Sequence, residues 1–350
     1  MGIKISVVVA VFNDEQHIEK CVLSVVNQRY RNYELIVIDD GSTDGTSRIL
    51  EKYDLEYENV KVFRVPHCGP GTARNSALDL ISGDYVLFLD SDDELFSDCL
   101  VSLCKKIEND NVGILFFSSN IVFSDGIPPN INVANYYKRP LELHNKSVSA
   151  EFFYNASIEH LKRHKYGYPV VVWGYAFKRS LCSSIRFLQE SYEDEYFTTK
   201  LLLSFPNENV KFINKIIHRH HIRQGSITTQ KLTPDVVIAY AQALNSLFPI
   251  INHINNKETL NNFYYNLRSL LHACLYKNNQ LGDEKLPSLK ILELLIKPLC
   301  GENKKDITKQ QLLVLKPILI ELSKLENIEQ NPYVCSAVNL IDNAINLLRS

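Results

Sequence analysis

Residues Tyr85 to Phe96 read YVLFLDSDDELF. Four apolar residues, Val86 to Leu89, run without a break into Asp90, Ser91, Asp92, Asp93 and Glu94. A short continuous apolar run is the pattern of a strand buried on both faces. Carboxylates packed at its end repel one another and hold together only with positive charge among them, most simply a divalent cation. In extended chain Asp90 and Asp92 point the same way, as a chelating pair requires. The bland alternative is a capped surface turn, with Ser97 capping a helix over Cys99 to Ile107. An EF-hand loop is disfavoured: counting from Asp90, position 6 is Leu95 and position 12 is Val101, where Gly and Glu are needed.

The same strand-then-helix pattern occupies everything upstream. Ile5 to Val11 (ISVVVAV) has strand length and composition, and Asn13-Asp14 is expected to cap a helix carrying Ile18, Cys21, Val22, Val25 and Val26. Leu35 to Ile38 is the second strand, Asp39-Asp40-Gly41-Ser42 its turn, and Thr43 to Tyr53 a second helix. Val60 to Val65 alternates as a third strand; Pro70 opens a helix reaching Ile81, with Gly83 as its stop. Repeated units of this kind predict an α/β fold, Rossmann-like, with a mostly parallel sheet and helices on both faces. Ligands then bind outside the carboxyl ends of the strands, where Asp39, Asp40 and Asp90 to Asp93 fall.

Composition narrows the class. The chain has 350 residues, 45% of them hydrophobic, enough for one large or two medium domains. Lys plus Arg (38) nearly balance Asp plus Glu (40), so no global field recruits nucleic acid or an anionic membrane. Eight cysteines without a C-x-x-C pair, and no signal-like start, lead us to expect free thiols in a reducing cytosol. No apolar run approaches the roughly 18 to 20 residues of a membrane span, so a soluble or at most peripheral protein is expected. Beyond Thr233-Pro234 the signals become helical throughout: Val236 to Leu247, Leu260 to Tyr276, Leu289 to Leu299, Ile307 to Leu325 and Tyr333 to Leu348. The expected division is therefore an α/β domain over 1–230 and an all-α C-terminal domain over 231–350. Leu289 to Leu299 reads as a bundle helix or dimer contact before a membrane-surface helix.

Gly69-Pro70-Gly71-Thr72-Ala73-Arg74 imitates the start of a dinucleotide loop but has Arg74 at the third glycine and follows the third strand. Its useful content is Arg74, one turn into a helix at the strand ends, placed to meet an anion. Trp173 lies among tyrosines ahead of Lys178-Arg179, and a flat indole suits the apolar face of a sugar ring, though a lone Trp also serves as core. His218, His220 and His221, with no nearby cysteine, do not make a structural zinc site.

Four stretches in order, VVVAVFNDE (Val7 to Glu15), ELIVIDDGSTDGT (Glu34 to Thr46), GPGTARNSA (Gly69 to Ala77) and GDYVLFLDSDD (Gly83 to Asp93), resemble bacterial family 2 glycosyltransferases with the GT-A fold. Tyr192 to Phe197 (YEDEYF) is similar to that family's base-bearing segment, and His220 to Thr228 to its Y-R-x-R-x-x-S-I-T loop, with His220 and His221 standing where Tyr and Arg are common. The resemblance covers about Ile3 to Thr229.

It implies the following roles. Asp40 accepts from the uracil N3-H, framed by the backbone at Ala10 and Val11, with Arg74 near the nucleotide. Asp90 and Ser91 contact ribose or donor sugar. Asp92 holds Mn²⁺ or Mg²⁺ against the diphosphate, with His220 or His221 as a further ligand. Asp194 is the catalytic base, and Trp173 and Glu193 face the acceptor. The implied function is metal-dependent inverting transfer of a hexose or N-acetylhexosamine from a UDP-sugar to a saccharide or lipid-linked saccharide, for a bacterial surface polysaccharide or lipooligosaccharide. The implied location is the cytoplasm, extending to the inner face of the membrane. Two alternatives stand beside it: a haloacid-dehalogenase-type phosphatase with Asp90 as nucleophile, and a non-catalytic nucleotide-sugar-binding scaffold. Glu193-Asp194-Glu195 alone also reads as an acidic helix start.

Overall fold

Strands β1 (Ile5–Val11), β2 (Tyr33–Asp39), β3 (Val60–Arg64) and β4 (Tyr85–Asp90) form a parallel group in the order β3-β2-β1-β4. Val11 registers with Asp39 and Ala10 with Asp90, so three strand ends finish on one line. The computed structural model describes residues 2–124, 131–189, 193–223, 232–284 and 286. The expected limits of β1, Ile5 to Val11, coincide with those observed, and the apolar run Val86 to Leu89 lies inside β4.

The sheet continues through β5 (Glu94–Leu95), β6 (Ile114–Phe123), β7 (Ser147–Ser149), β8 (Tyr175–Lys178) and β9 (Asn209–Ile222) in the order β4-β8-β6-β9-β5, with β7 on β9. β8 runs antiparallel to both β4 and β6, whereas β6 and β9 are parallel. Around it lie α1 (Ile18–Val26), α2 (Thr46–Glu56), α3 (Pro70–Leu78), α4 (Cys99–Asp110), α5 (Ile131–Tyr136), α6 (Ala150–His164) and α7 (Glu193–Ser204). Odd-numbered strand residues, Val7, Val9, Leu35, Val37, Leu87 and Leu89 among them, share one buried core with Val22 and Val25 of α1 and Leu100 and Leu103 of α4. Even-numbered Phe88 faces the other layer, edge-on to Phe187 and to Phe197 of α7. The period-2 alternation thus covers both faces of the sheet, each large buried side chain contributing about 1.5–3 kcal/mol.

The helix after β1 differs from expectation. It begins at Ile18 with His17 at the cap position, and the Asp14 side chain does not cap it. Asp14 is instead turned to the strand ends, where it accepts from Ser91 Oγ at 2.7 Å. Among the described residues, all six cysteines are free thiols.

The chain divides into two compact units, residues 1–230 and 231–350. In the second, α8 (Pro234–Leu247) packs on α9 (Lys257–Gln280), whose Asn256 cap accepts from Glu258 N and Thr259 N. The stretch Pro234–His253 is long and apolar enough, by length and composition, to cross a membrane, which corrects the expectation that no such run exists. Half of it is buried inside the protein and Pro249 interrupts it, as befits a core helix. The helices expected at 289–299, 307–325 and 333–348 lie outside the described residues.

The helix expected to reach Ile81 ends at Leu78, with Asp79 at its cap position, so Gly83 does not stop it and serves the strand that follows. A Cβ there would stand 2.6 Å from Ser6 Oγ and 2.9 Å from Lys4 O, where β4 enters the sheet beside β1. Gly83→Ala is expected to destabilise the protein by about 1–3 kcal/mol through overpacking. Urea unfolding with an unchanged midpoint would contradict that packing.

Candidate active site

The turn at Gly69, with φ of +88°, hands the chain to Pro70 at the first position of α3. The first turn of α3 lies against Leu188: a Cβ on Gly71 would be 1.9 Å from the Leu188 carbonyl oxygen. That close seat sends Arg74, 9% exposed, inward to three carboxylates. Nη2 donates to Asp90 Oδ1 at 3.0 Å, and Nη1 donates to Glu193 and to Asp194 Oδ1, the latter at 3.3 Å. Arg74 was expected beside the nucleotide; it ties the end of β4 to the first turn of α7.

One guanidinium does not neutralise three acids. Burial, followed by the charges of Glu193 and Asp90, pushes the Asp194 carboxyl up to about 8, against the opposing pull of Arg74 and of the Val172 N–H. That N–H donates to Asp194 Oδ2 at 3.2 Å from the turn Val172–Gly174. Asp194 thus has one oxygen toward Arg74 and the other toward a backbone donor, and a proton affinity matched to neutral pH. Glu193, expected at the acceptor, is buried against Arg74.

At the other end, Asp40 follows β2 and its N–H donates to Val11 O at 2.8 Å. Its carboxylate accepts from Cys68 N at 2.8 Å and Gly69 N at 2.9 Å, with His67 Nδ1 2.9 Å away. It therefore fixes the 67–69 turn, and a planar ligand edge would reach it through remaining lone pairs. Phe12, 43% exposed, stacks on His67 at 4.0 Å between centroids. This exposed aromatic pair beside Ala10 and Val11 escaped the sequence reading; the signal was Phe12 directly after an apolar strand.

The D-S-D-D turn splits three ways. Asp90 goes to Arg74. Asp92 accepts from Arg223 Nε at 2.7 Å, and Arg223 Nη2 lies 3.4 Å from Asp14 Oδ1. Asp93, fully buried, accepts from His220 Nδ1 at 2.8 Å and from the His221 N–H at 2.9 Å, with His218 Nε2 at 3.1 Å but not aligned as a hydrogen bond. Burial raises Asp93, yet the charges of His220 and His218 hold it well below the carboxylate range. Burial likewise lowers His220, and Asp93 more than reverses this, leaving it above its ordinary value.

Two expectations change here. His220 is turned to Asp93 and His221, on the other face of β9, to Glu94 at 3.0 Å, rather than to Asp92. Trp173 is 4% exposed and stacks along both His218 and His220, with centroids at 4.6 and 4.7 Å, so its ring packs in the core and offers no open face to a sugar. Asp93, Arg223 and Asp14 are the site residues that sequence reasoning missed.

No group of three or more His, Cys, Asp and Glu side chains forms a ready metal cluster among the described residues. The donor set nonetheless fits a hard divalent cation. Asp92 offers a hard carboxylate donor of which Arg223 Nε uses Oδ2, and burial, then the charges of Asp93 and Asp90, raises this carboxyl above its ordinary value despite the Arg223 contact.

The mixed, mostly parallel sheet with its carboxylates gathered at the ends of β1, β2 and β4 is that of a GT-A-like fold. Residues 6–160 match the family described as Glycosyl transferase family 2. The chain is similar to the glycosyltransferase GlyA of Streptococcus pneumoniae, 29% identical over 263 residues that make up 72% of this chain and 36% of GlyA. The chain thus spans about a third of that relative's length. It is also similar to the GalNAc(5)-diNAcBac-PP-undecaprenol beta-1,3-glucosyltransferase of Campylobacter jejuni, 28% identical, covering 64% of this chain and 67% of the relative. Among solved structures, residues 1–349 of S. aureus TarS in complex with UDP-GlcNAc share its fold, with a TM-score of 0.58 at 21% identity over 97% of this chain and 89% of that one.

The raised carboxyl sets a pH dependence of stability. The folded protein keeps the Asp194 proton from about pH 4, where an unfolded aspartate loses it, up to about 8. The folded state binds more protons across that window, so this group makes stability fall as pH rises through it. Asp194→Asn is therefore expected to gain stability relative to the wild type from pH 5 to pH 8.5 in paired urea unfolding curves. A difference that does not change with pH would show that the carboxyl is not held protonated.

Proposed function

We propose that this site transfers a hexose or N-acetylhexosamine from a UDP-sugar to a hydroxyl of a saccharide or lipid-linked saccharide acceptor, with inversion, and that Asp194 is the base. The observation that carries the reading is the carboxyl of Asp194, raised to about 8 and held in place by Arg74 and the Val172 N–H. An attacking hydroxyl must lose its proton as the bond to the anomeric carbon forms. A carboxylate whose proton affinity lies near neutral pH takes that proton best, a role worth about 10² to 10⁴ in rate. Arg74 keeps its own charge throughout, because the acids around it raise its affinity for the proton further, burial notwithstanding. It also holds Asp90, the acid assigned to ribose or donor sugar, at a fixed separation from the base.

The base end of the nucleotide is assigned to Asp40, the backbone at Ala10 and Val11, and the exposed ring of Phe12. Asp92 would hold Mn²⁺ or Mg²⁺, which when bound supplies counter-charge to the departing diphosphate. One base opposite the leaving group gives a single in-line displacement, hence inversion. The Campylobacter jejuni relative, named for an undecaprenol-linked acceptor, supports a lipid-linked saccharide acceptor, and TarS, described with UDP-GlcNAc, supports a UDP-sugar donor. In this reading the enzyme is cytoplasmic and meets a lipid-linked acceptor at the inner face of the membrane, with residues 1–230 as the transferase domain and 231–350 as a helical addition.

Asp194→Asn is expected to lower kcat by about 10²- to 10⁴-fold while UDP still binds. In the wild type, kcat/KM should rise with pH to a plateau above about 8, since the protonated carboxyl is the inactive form. An Asp194→Asn variant with full activity contradicts the base assignment. Thermal shift with UDP, GDP, CMP and ADP, each with and without Mn²⁺, tests the donor: UDP at 100 times its Kd should add about 2.7 kcal/mol. A shift with another nucleotide alone would replace UDP in this reading.

A further inference from the structure

We infer that Arg223 is the resident counter-ion of Asp92, competing with the divalent cation for that carboxylate, so that the cation is taken up tightly only together with a nucleoside diphosphate. This rests on the donor reading above. Arg223 Nε donates to Asp92 Oδ2 at 2.7 Å and Nη2 reaches Asp14 Oδ1 at 3.4 Å, so one guanidinium spans the turns after β4 and β1. Asp14 is 5% exposed and already accepts from Ser91 Oγ at 2.7 Å, with His17 Nδ1 at 2.6 Å. It is a fixed acid that holds the guanidinium at the longer of the two distances.

A divalent cation on Asp92 must share a carboxylate whose Oδ2 already accepts from Arg223, and two positive groups on one carboxylate repel at that range. Asp14 is a poor refuge, because two other donors occupy it. A diphosphate changes the balance by offering oxygens to both positive groups, and a planar guanidinium suits phosphate oxygens as well as it suits a carboxylate. Cation and diphosphate therefore raise each other's affinity through Arg223, and by linkage each does so by the same factor.

The test uses the full chain, Mn²⁺ and UDP. Free Mn²⁺ is followed by electron paramagnetic resonance in titrations of the wild type, Arg223→Ala and Arg223→Lys, each with and without saturating UDP, after matching melting curves. Without UDP, Arg223→Ala should bind Mn²⁺ about 5- to 10-fold more tightly than the wild type, and the enhancement by UDP should shrink by about the same factor. Arg223→Lys, which keeps a charge but loses the planar fork, should fall between them. Equal Mn²⁺ affinity in all three proteins without UDP overturns the inference and leaves the donor reading untouched. If UDP enhances Mn²⁺ binding in none of them, the donor reading fails, while the Mn²⁺-only comparison still decides the competition.

Discussion

A buried guanidinium facing three carboxylates is the constraint around which this site is organised. Arg74 joins Asp90 from the end of β4 to Glu193 and Asp194 from the start of α7, residues more than a hundred positions apart. Removing Arg74 from this group leaves three carboxylates without their counter-charge in a low dielectric, a loss of about 3–5 kcal/mol. The excess of acid over base is equally informative. Two acids stand in excess, and burial together with the charges of Glu193 and Asp90 raises the proton affinity of Asp194.

Around this group the remaining acids are sorted by partner. Asp40 is committed to the backbone of the 67–69 turn, Asp92 to Arg223, and Asp93 to two imidazoles and a β9 N–H. Asp93 thereby fastens the turn after β4 to β9, and through His218 and His220 it fastens both to Trp173. Trp173 adjoins Val172, whose N–H donates to Asp194 Oδ2. A contiguous packed chain therefore links the turn after β4 to Asp194, which accounts for a tryptophan spent on core rather than on ligand.

Much of the fold was legible in the sequence because β1 and β4 are short, almost wholly apolar stretches bounded by turn residues, the pattern of strands buried on both faces. The helix starts were less so. Asn13-Asp14 has the composition of a cap, but a short acid next to a strand end serves a charge site equally well, and only the positions of Ser91 and Arg223 distinguish the two. β6 and β9 carry polar second halves, SSNIVF and KIIHRHHI, whose pairing partners, not their own pattern, make them strands. The acids of the site were visible by type and position. Their partners were not, since Arg74 to Asp194 and Arg223 to Asp92 are long-range pairings that spacing does not encode. Trp173 and the histidines were misjudged for the same reason: stacking on His218 and His220 is a tertiary fact.

The central claim is that Asp194 holds a proton near neutral pH inside the Arg74 group. Infrared difference titration of the wild type against Asp194→Asn measures this directly through the carbonyl stretch of a protonated carboxyl. The account predicts a band present at pH 6 to 7, lost with a midpoint of about 8, and absent from Asp194→Asn. If no carboxyl of the wild type remains protonated above pH 6, Asp194 is an ordinary ion-pair partner of Arg74 and its assignment as the base is wrong.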